Sequence, residues 1–390
     1  MPTPSTADDP QPAQFSRPLW ARIDLAALRS NARELCRRSG LRTAIFAVIK
    51  ANAYGHGAVP VARALLDEND AALSEKVRML CVASVDEGLQ LRVAGIAAPI
   101  LLLSAILPDE ARAAVAARLT PTVFTRELAA ALDAAGAALG VTAQAHFKID
   151  TGMGRLGVWH CDAPALYKSL QEFRHLRLRG IYTHFAGADE PDDNMTLGQL
   201  AAFNSALREC GIANSSRTNG GMMVHACNSA ALLRHPEAHF DGVRPGLALY
   251  GVLPVAAPDV SLRPVMTLQA RITHLKTVQA GATISYGATW RAPRASRIAT
   301  VPVGYADGYA RRVSHQAAVL LRGALCLVVG RVTMDQILVD CTDVTPNAQS
   351  GEIVTLFGDG LPVNDVAAWA ATIPYEILCG IAARVPRVYV

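Results

Sequence analysis

A lysine at the end of an apolar run is the first residue of this chain that could act as a nucleophile. Residues 46–57 read Phe-Ala-Val-Ile-Lys-Ala-Asn-Ala-Tyr-Gly-His-Gly, so Lys50 closes a candidate buried strand. Burial disfavours an ammonium ion, and the neutral amine that results can attack an aldehyde cofactor. A lysine that only marks a strand end is the plainer interpretation. The neighbouring residues must decide between the two.

Further polar residues stand at the ends of later apolar runs. They are Arg155, His184, the pair Asn228 and Ser229, and the segment from Arg244 to Gly246. In a parallel barrel the carboxyl ends of the strands share one rim, and phosphate usually binds in the loops after the seventh and eighth strands. The sequence therefore predicts one rim that gathers a nucleophile, two arginines, a histidine and a small hydroxyl.

Each of these residues also has a purely structural interpretation. His184 can be a hydrogen-bonded core histidine, and Arg244 can pair with a nearby acid such as Asp241. Ser229 can cap a helix, although capping and phosphate binding both use the free amides of a helix start. Tyr286, in Ile-Ser-Tyr-Gly-Ala-Thr-Trp, is by its local context a packing residue of a strand.

Other chemistries have weaker support in the sequence. Gly152 to Gly157 matches the glycines of a dinucleotide fingerprint, but the run before it ends in Lys148 and Asp150 and no helix start follows, so nucleotide binding is not expected. No His, Cys or carboxylate cluster has metal-ligand spacing, so no metal is expected, and no Gly-x-Ser-x-Gly elbow indicates a serine hydrolase.

The elements that would position these residues follow a regular order. Eight β-rich runs separated by helical patterns predict a parallel (β/α)8 barrel of the TIM type, with a doubly wound open sheet as the alternative. After about residue 262, Val, Ile, Thr and Gly runs predict a mainly β domain, with which segment 19–24 is a candidate to pair. The eight runs are 44–50, 79–84, 99–103, 121–124, 143–149, 178–185, 222–227 and 241–250. The expected organisation is a disordered tail (1–17), a barrel domain (18–262) and a β domain (263–390).

Composition sets the broad class. With 390 residues, 51% apolar and 18% charged, the chain is long enough for two buried cores. The net charge of +4 has no lysine-arginine block, so neither nucleic acid nor a membrane surface is an expected partner. Eight scattered cysteines without a Cys-x-x-Cys pair indicate reduced thiols in a cytoplasm. The first seventeen residues lack the features of a secretory signal, and no apolar run is long enough to cross a bilayer.

Taken in order, the motifs of this chain closely resemble those of alanine racemase over about residues 19 to 390. The resemblance is carried by Val48-Ile-Lys-Ala-Asn-Ala-Tyr-Gly-His-Gly57, Lys148 to Gly157, Thr183-His-Phe, Asn228-Ser-Ala, Val243-Arg-Pro-Gly, Ser285-Tyr-Gly-Ala-Thr, Gly304-Tyr-Ala-Asp-Gly, Gly330-Arg-Val-Thr-Met-Asp-Gln and Pro374-Tyr-Glu. The family resemblance implies an isomerase that uses pyridoxal 5′-phosphate. It also implies a homodimer whose active sites combine both subunits.

The resemblance assigns a role to each matching position. Lys50 matches the Schiff-base lysine, and with Tyr286 of the partner subunit it forms the pair of bases that interconverts L-alanine and D-alanine. Arg155 and the backbone of Met334 match contacts to the substrate carboxylate. The remaining cofactor-binding positions are Tyr54, Asn228, Ser229, Gly246, Leu247 and Tyr375, with Arg155 near the phenolic oxygen, Arg244 at the pyridine nitrogen and His184 orienting Arg244.

Some positions carry further expectations. Lys148 matches a lysine that bears a carbamate in some family members, whose negative charge orients the arginine at position 155. Thr333 departs from the cysteine of many relatives, which removes a thiol near the site. Arg311, Arg331 and Ile373 match positions that line the family's substrate corridor.

Several functions stay open at this point. Racemisation would supply D-alanine for peptidoglycan of the cell wall, or feed D-alanine into catabolism. The nearest alternative is a racemase of serine or another small amino acid. A non-catalytic pyridoxal phosphate carrier shares a similar lysine strand but lacks the β domain with its Ser-Tyr-Gly motif. A pyridoxal decarboxylase would place an acid where this chain has Arg244.

Overall fold

The computed structural model describes residues 17–212 and 221–390. Residues 1–16 of the expected tail therefore lie outside the described residues. The chain forms two compact units. The barrel unit comprises residues 28–53 and 57–262, and the β unit comprises the described residues up to Ala27, residues 54–56 and residues 263–390.

The first strand, β1 (Leu19–Ile23), belongs to the β unit, and the next nine belong to the barrel unit. These are β2 (Ala44–Val48), β3 (Val77–Val82), β4 (Ile100–Leu102), β5 (Thr122–Val123), β6 (Ala143–Asp150), β7 (Val158–Trp159), β8 (Leu176–Tyr182), β9 (Met223–His225) and β10 (Gly242–Val243). Eight of them pair in parallel in the order β4-β3-β2-β10-β9-β8-β6-β5. A parallel bridge between Leu101 and Thr120 connects the two ends of this order.

Helices connect the barrel strands. They are α1 (Leu25–Ser39), α2 (Ala58–Leu65), α3 (Ala71–Ser74), α4 (Val85–Val93), α5 (Ala111–Ala116), α6 (Arg126–Leu139), α7 (Ala163–Leu170), α8 (Asn194–Glu209) and α9 (Ser229–Arg234). Side-chain caps fix several helix starts, since Ser84, Thr125 and Asn228 each accept a hydrogen bond from an amide three residues on.

The barrel prediction is confirmed, and the doubly wound sheet is wrong. Strands buried on both faces read as continuous apolar runs, which made them visible in the sequence. The eighth run was predicted too long, because the chain leaves the sheet after Val243 and forms a 3-10 turn at Leu247–Tyr250.

Within the described part of the chain, the β unit contains the remaining strands and two α-helices. They are β11 (Met266–Arg271), β12 (His274–Val278), β13 (Thr283–Ile284), β14 (Trp290–Arg291), β15 (Ser296–Val301), β16 (Ala318–Leu321), β17 (Ala324–Leu327), β18 (Ile337–Asp340), β19 (Ile353–Phe357), β20 (Arg387–Tyr389), α10 (Val363–Trp369) and α11 (Pro374–Gly380). One sheet has the order β17-β16-β19-β11-β1-β20, and β12, β15 and β18 form another. β1 lies between β11 and β20, which confirms that segment 19–24 pairs with the later domain.

No helix within the described residues is both long enough and apolar enough to cross a bilayer.

Candidate active site

Lys50 lies directly after β2, where the chain makes an unusual left-handed turn. Ala51, Asn52 and Ala53 have φ of 53°, 53° and 55°, and Tyr54 has φ of 53°. Four consecutive non-glycine residues in this region are strained, because the Cβ atom approaches the carbonyl oxygen that follows it. The surrounding structure must therefore hold the turn in place.

Hydrogen bonds from distant parts of the barrel unit hold this turn. Glu87 of α4 accepts from the amide of Ala51 over 2.7 Å and from that of Ala83 over 2.6 Å. The Asn52 side chain accepts from the amide of Ala58, the first residue of α2, over 2.8 Å. Sequence reasoning missed the role of Glu87, which lies 36 residues from the turn that it fixes.

Arg244 follows β10 and is buried, with 3% of its surface exposed. It donates to Nδ1 of His225 over 2.5 Å and to the carbonyl oxygens of Thr183 and Ala226 over 2.7 Å each. A longer contact of 3.4 Å reaches Nδ1 of His184. All these acceptors are neutral, and the pairing of Arg244 with Asp241 is not found. Among the described residues, this buried guanidinium therefore has no carboxylate as a hydrogen-bond partner.

His184 lies two residues beyond β8 and is surrounded by cations. Burial, and then the charges of Arg244, Lys148, Arg155 and Lys50, lower the pKa of His184 well below its usual value. The imidazole is therefore neutral at physiological pH, and its Nδ1 can accept from Arg244. Five of the predicted polar residues thus lie close enough to interact through their charges. They are His184, Arg244, Lys148, Arg155 and Lys50.

Lys148 is an interior residue of β6 with 4% of its surface exposed. Its ammonium lies 5.3 Å from the ring centroid of Tyr182, and the guanidinium of Arg244 lies 5.0 Å from the same ring. Burial, and then the charges of Arg244 and Arg155, lower the pKa of Lys148 to about 8. A large fraction of this side chain is a neutral amine near that pH.

Arg155 is exposed in the loop that follows β6. The carboxylate of Asp150 orders this loop by accepting from the amides of Gly152 over 2.9 Å and Gly154 over 3.1 Å. Gln199 of α8 joins the loop to its neighbour, since its amide donates to Thr151 Oγ1 and to the carbonyl oxygen of His184, each over 3.3 Å. Gln199 is a second positioning residue that the sequence did not reveal.

Ser229 begins α9, and Asn228 caps that helix by accepting from the amide of Ala231 over 2.9 Å. The hydroxyl of Ser229 accepts from the amide of Gly246 over 2.8 Å and from that of Ala248 over 3.4 Å. A hydroxyl and several main-chain amides therefore converge where the loops after β9 and β10 meet. Hydroxyl and main-chain amide groups of this kind are suited to binding a phosphate.

In the β unit, Tyr286 starts a 3-10 turn and exposes 71% of its surface. The preceding residue, Ser285, has φ of 65° and donates its hydroxyl to the carbonyl oxygen of Arg331 over 2.8 Å. Tyr286 is thus a solvent-facing tyrosine on a fixed turn and not the packed strand residue of its plainer interpretation.

Other predicted residues of the β unit are also exposed. Met334 exposes 53% of its surface, and Ile373, Arg311 and Arg331 are exposed as well. The hydroxyl of Thr333 donates to the carbonyl oxygen of Gln336 over 2.8 Å. Here the threonine closes its own turn.

The two predicted phosphate-binding tyrosines of the β unit lie together. The rings of Tyr54 and Tyr375 have centroids 5.7 Å apart at 42°. Gly55 permits this arrangement, because a Cβ atom there would lie 2.4 Å from the carbonyl oxygen of Leu378 in α11. Tyr54 therefore groups with the β unit although it is only four residues from Lys50.

Comparison with known proteins covers nearly the whole chain. Family models for the alanine racemase N-terminal and C-terminal domains match residues 23–254 and 265–389. The alanine racemase of Symbiobacterium thermophilum is 44% identical over 378 residues, which are 96% of this chain and 97% of that protein. The solved alanine racemase of Clostridium difficile 630 has a TM-score of 0.86 at 37% identity, covering 97% of each chain. The biosynthetic alanine racemase of Pseudomonas aeruginosa has a TM-score of 0.83 at 38% identity, covering 96% of this chain and 99% of that one.

Proposed function

This chain belongs to the alanine racemase family, and we propose that it interconverts L-alanine and D-alanine by a two-base mechanism that uses pyridoxal 5′-phosphate. The observation that supports this most directly is the barrel rim, where the charges of Lys50, Arg155 and Arg244 all act on the imidazole of His184. The full-length match to proteins of that name supplies the reaction.

The residues of the rim fit pyridoxal phosphate. Arg244 is a buried cation whose acceptors are all neutral, and a guanidinium can only donate, so it suits an unprotonated pyridine nitrogen. The hydroxyl of Ser229 and the amides around Gly246 suit the phosphate. When bound, the cofactor withdraws electrons from the substrate α-carbon, which makes its proton removable.

Inversion of a stereocentre needs one base on each face of the α-carbon. Lys50 takes the proton from D-alanine, and Tyr286 of the partner subunit takes it from L-alanine. Each residue then returns a proton when the reaction runs in the opposite direction. A phenol is a weak base at neutral pH, so nearby positive charge must favour its phenolate form.

Other residues position the substrate and the bases. Arg155 and the backbone of Met334 hold the substrate carboxylate, and Tyr54, Asn228, Ser229, Gly246, Leu247 and Tyr375 hold the cofactor. His184 orients Arg244 through the 3.4 Å contact between them. A carbamate on Lys148 would replace a cation–cation repulsion by an attraction to Arg155.

The assembly that this mechanism requires is a homodimer. Tyr286, Met334 and Ile373 expose 71%, 53% and 58% of their surfaces, which leaves the catalytic tyrosine accessible to a second subunit.

The eight cysteines are free thiols, in keeping with a reducing cytoplasm. The reaction would supply D-alanine for peptidoglycan or feed D-alanine into catabolism.

Racemisation is tested with purified protein, pyridoxal phosphate and a panel of L-amino acids, followed by chiral chromatography. We expect D-alanine to form faster than D-serine or any other product, and Tyr286→Phe to lower kcat by roughly 10²–10⁴-fold. Tyr389→Phe, which alters a half-exposed tyrosine of β20, is the matched control and should leave kcat unchanged. Wild-type protein that binds the cofactor but gives no D-alanine would indicate a carrier and refute the proposal.

A further inference from the structure

A buried carboxylate in the β unit binds two arginines from opposite ends of the chain. Asp307 is fully buried, and its oxygens accept from Arg384 Nε over 2.7 Å, from Arg17 Nη2 over 2.8 Å and from the amide of Gly304 over 2.9 Å. Burial raises the pKa of Asp307, but the hydrogen bonds from Arg17 and Arg384 outweigh it and lower that pKa. We call Arg17, Asp307 and Arg384 the Asp307 clamp.

Both arginines of the clamp extend from Asp307 to Asp335, the residue after Met334. Arg384 Nη2 donates to the Asp335 carboxylate over 2.7 Å. Arg17 Nη2 donates to the carbonyl oxygen of Asp335 over 3.4 Å and to that of Pro302 over 3.0 Å. The arginines thus connect the segments that contain Arg17, Arg384 and Asp335 to the carboxylate of Asp307.

Main-chain contacts transmit this anchoring directly to Met334. The amide of Ala306 donates to the carbonyl oxygen of Met334 over 3.1 Å, and the amide of Tyr305 to that of Thr333 over 3.0 Å. The two segments approach so closely that a Cβ atom at Gly304 would lie 2.3 Å from the Thr333 carbonyl oxygen. A displacement of the loop that carries Asp307 therefore displaces the backbone of Met334.

The clamp also reaches the helix that carries Tyr375. The amide of Ala382 donates to the carbonyl oxygen of Asp307 over 3.1 Å. At Gly308, a Cβ atom would lie 2.1 Å from the carbonyl oxygen of Gly380, the last residue of α11. One buried carboxylate thus fixes the segments of both Met334 and Tyr375.

We propose that Arg17, acting through Asp307 and Arg384, is a positioning residue that holds the Met334 backbone where it binds the substrate carboxylate. This inference rests on the proposed function, because the role of Met334 follows from the family resemblance. Arg17 lies at the end of the segment that sequence reasoning assigned to a disordered tail. Its side chain contacts Asp307, Pro302 and Asp335, so it acts through the loop that it anchors.

Arg17 is the residue of the clamp best suited to a test. Removing Asp307 would remove the buried carboxylate that both arginines share, which endangers the fold. Removing Arg17 removes its ion pair with Asp307 and its contacts to Pro302 and Asp335, but Asp307 stays paired with Arg384 over 2.7 Å. The expected effect is a shift of the Met334 segment within a folded protein.

The experiment compares full-length Arg17→Met, Arg17→Lys and wild type, each saturated with pyridoxal phosphate. Steady-state kinetics give kcat and KM for both alanine enantiomers, and inhibition by propionate measures binding of a carboxylate without an amine. For Arg17→Met we expect KM and the propionate inhibition constant to rise together by about tenfold, with kcat within about threefold. Arg17→Lys should recover part of the loss.

Arg294→Met is the matched control, since it removes an exposed pair with Asp343 over 2.6 Å in the same unit; its KM should equal that of wild type. Unchanged KM and propionate inhibition in Arg17→Met, or a loss confined to thermal stability, would overturn the inference. Wild-type protein that fails to racemise alanine would instead refute the proposed function.

Discussion

Arg244 Nη1 lies 2.5 Å from Nδ1 of His225, and His225 Nε2 lies 2.9 Å from Nδ1 of His146. A guanidinium only donates hydrogen bonds, so Nδ1 of His225 must accept and its Nε2 carries the proton. That proton is donated to His146, whose own Nε2 is buried without a described partner. Both imidazoles are therefore neutral, and Arg244 is held by a fixed tautomer.

This pair predicts an acid-sensitive fold. Burial, and then the charge of Arg244, lower the pKa of His146 from its ordinary value of 6.5 to about 3. Between these two values the unfolded chain binds a proton that the folded chain does not, so stability falls as pH falls from 6.5 toward 3 by about 1.4 kcal/mol per pH unit for this residue. Urea unfolding at several pH values would measure the slope.

His146→Gln should flatten that slope by close to one proton, because the titrating group is gone. His274→Gln, which changes an exposed histidine of β12, is the control and should keep the wild-type slope. Identical slopes for His146→Gln and wild type would show that His146 titrates normally in the folded protein.

Gly180 of β8 predicts a steric effect next to the same histidine. A Cβ atom there would lie 2.5 Å from the ring of His146, which is enclosed in the barrel interior. We expect Gly180→Ala to lower the free energy of unfolding by about 1–3 kcal/mol, as for other overpacked cores. At Gly198 in α8, an added Cβ atom would have no neighbour within 4 Å outside its own helix. Gly198→Ala should therefore raise the free energy of unfolding by about 0.5–1 kcal/mol.

The lowered pKa of the buried Lys148 amine predicts that this residue is covalently modified in a pH-dependent reaction. A neutral amine adds to carbon dioxide to give a carbamate and releases one proton, and the pKa of about 8 makes this amine available near physiological pH. In 13C-labelled bicarbonate, the protein should show a carbamate carbonyl signal that grows as pH rises through that value. Lys148→Gln should abolish the signal, whereas Lys276→Gln, at an exposed lysine of β12, should retain it. A wild-type spectrum without the signal at every pH excludes the modification.

The position of Ser229 predicts that its replacement by alanine weakens binding of the cofactor. Its hydroxyl accepts from the amide of Gly246 over 2.8 Å and so shapes the expected phosphate site. Ser229→Ala should raise the dissociation constant of pyridoxal phosphate by about tenfold, the usual effect of one hydrogen bond to a charged group. Absorbance titration of cofactor-free protein measures this. Ser205→Ala, on the exposed face of α8, should bind as wild type does.

Much of the fold was predictable because local sequence and tertiary structure agree. The run before Lys50 is buried on both faces, so it reads as an apolar strand, and Asn228 is a strong helix-capping residue at the start of α9. The segment after Val243 was misassigned because apolar residues of a 3-10 turn read like a strand when only hydrophobicity is considered.

The remaining features depend on distant partners. Nothing local indicates that Ala51 to Tyr54 turn left-handed, because Glu87 and other distant groups hold them there. His146 and His225 are 79 residues apart on two strands, and their pairing follows only from barrel geometry. Arg17 looked like part of a tail because its partner Asp307 lies 290 residues away.

The central claim is that two different bases act on opposite faces of the alanine α-carbon. The direct measurement is racemisation of protiated L-alanine in deuterium oxide, stopped early and analysed by chiral separation and mass spectrometry. With Lys50 and Tyr286 as separate proton carriers, the D-alanine formed should carry deuterium at the α-carbon while the remaining L-alanine keeps mostly protium. D-alanine that retains protium, or no D-alanine at all, would contradict the account.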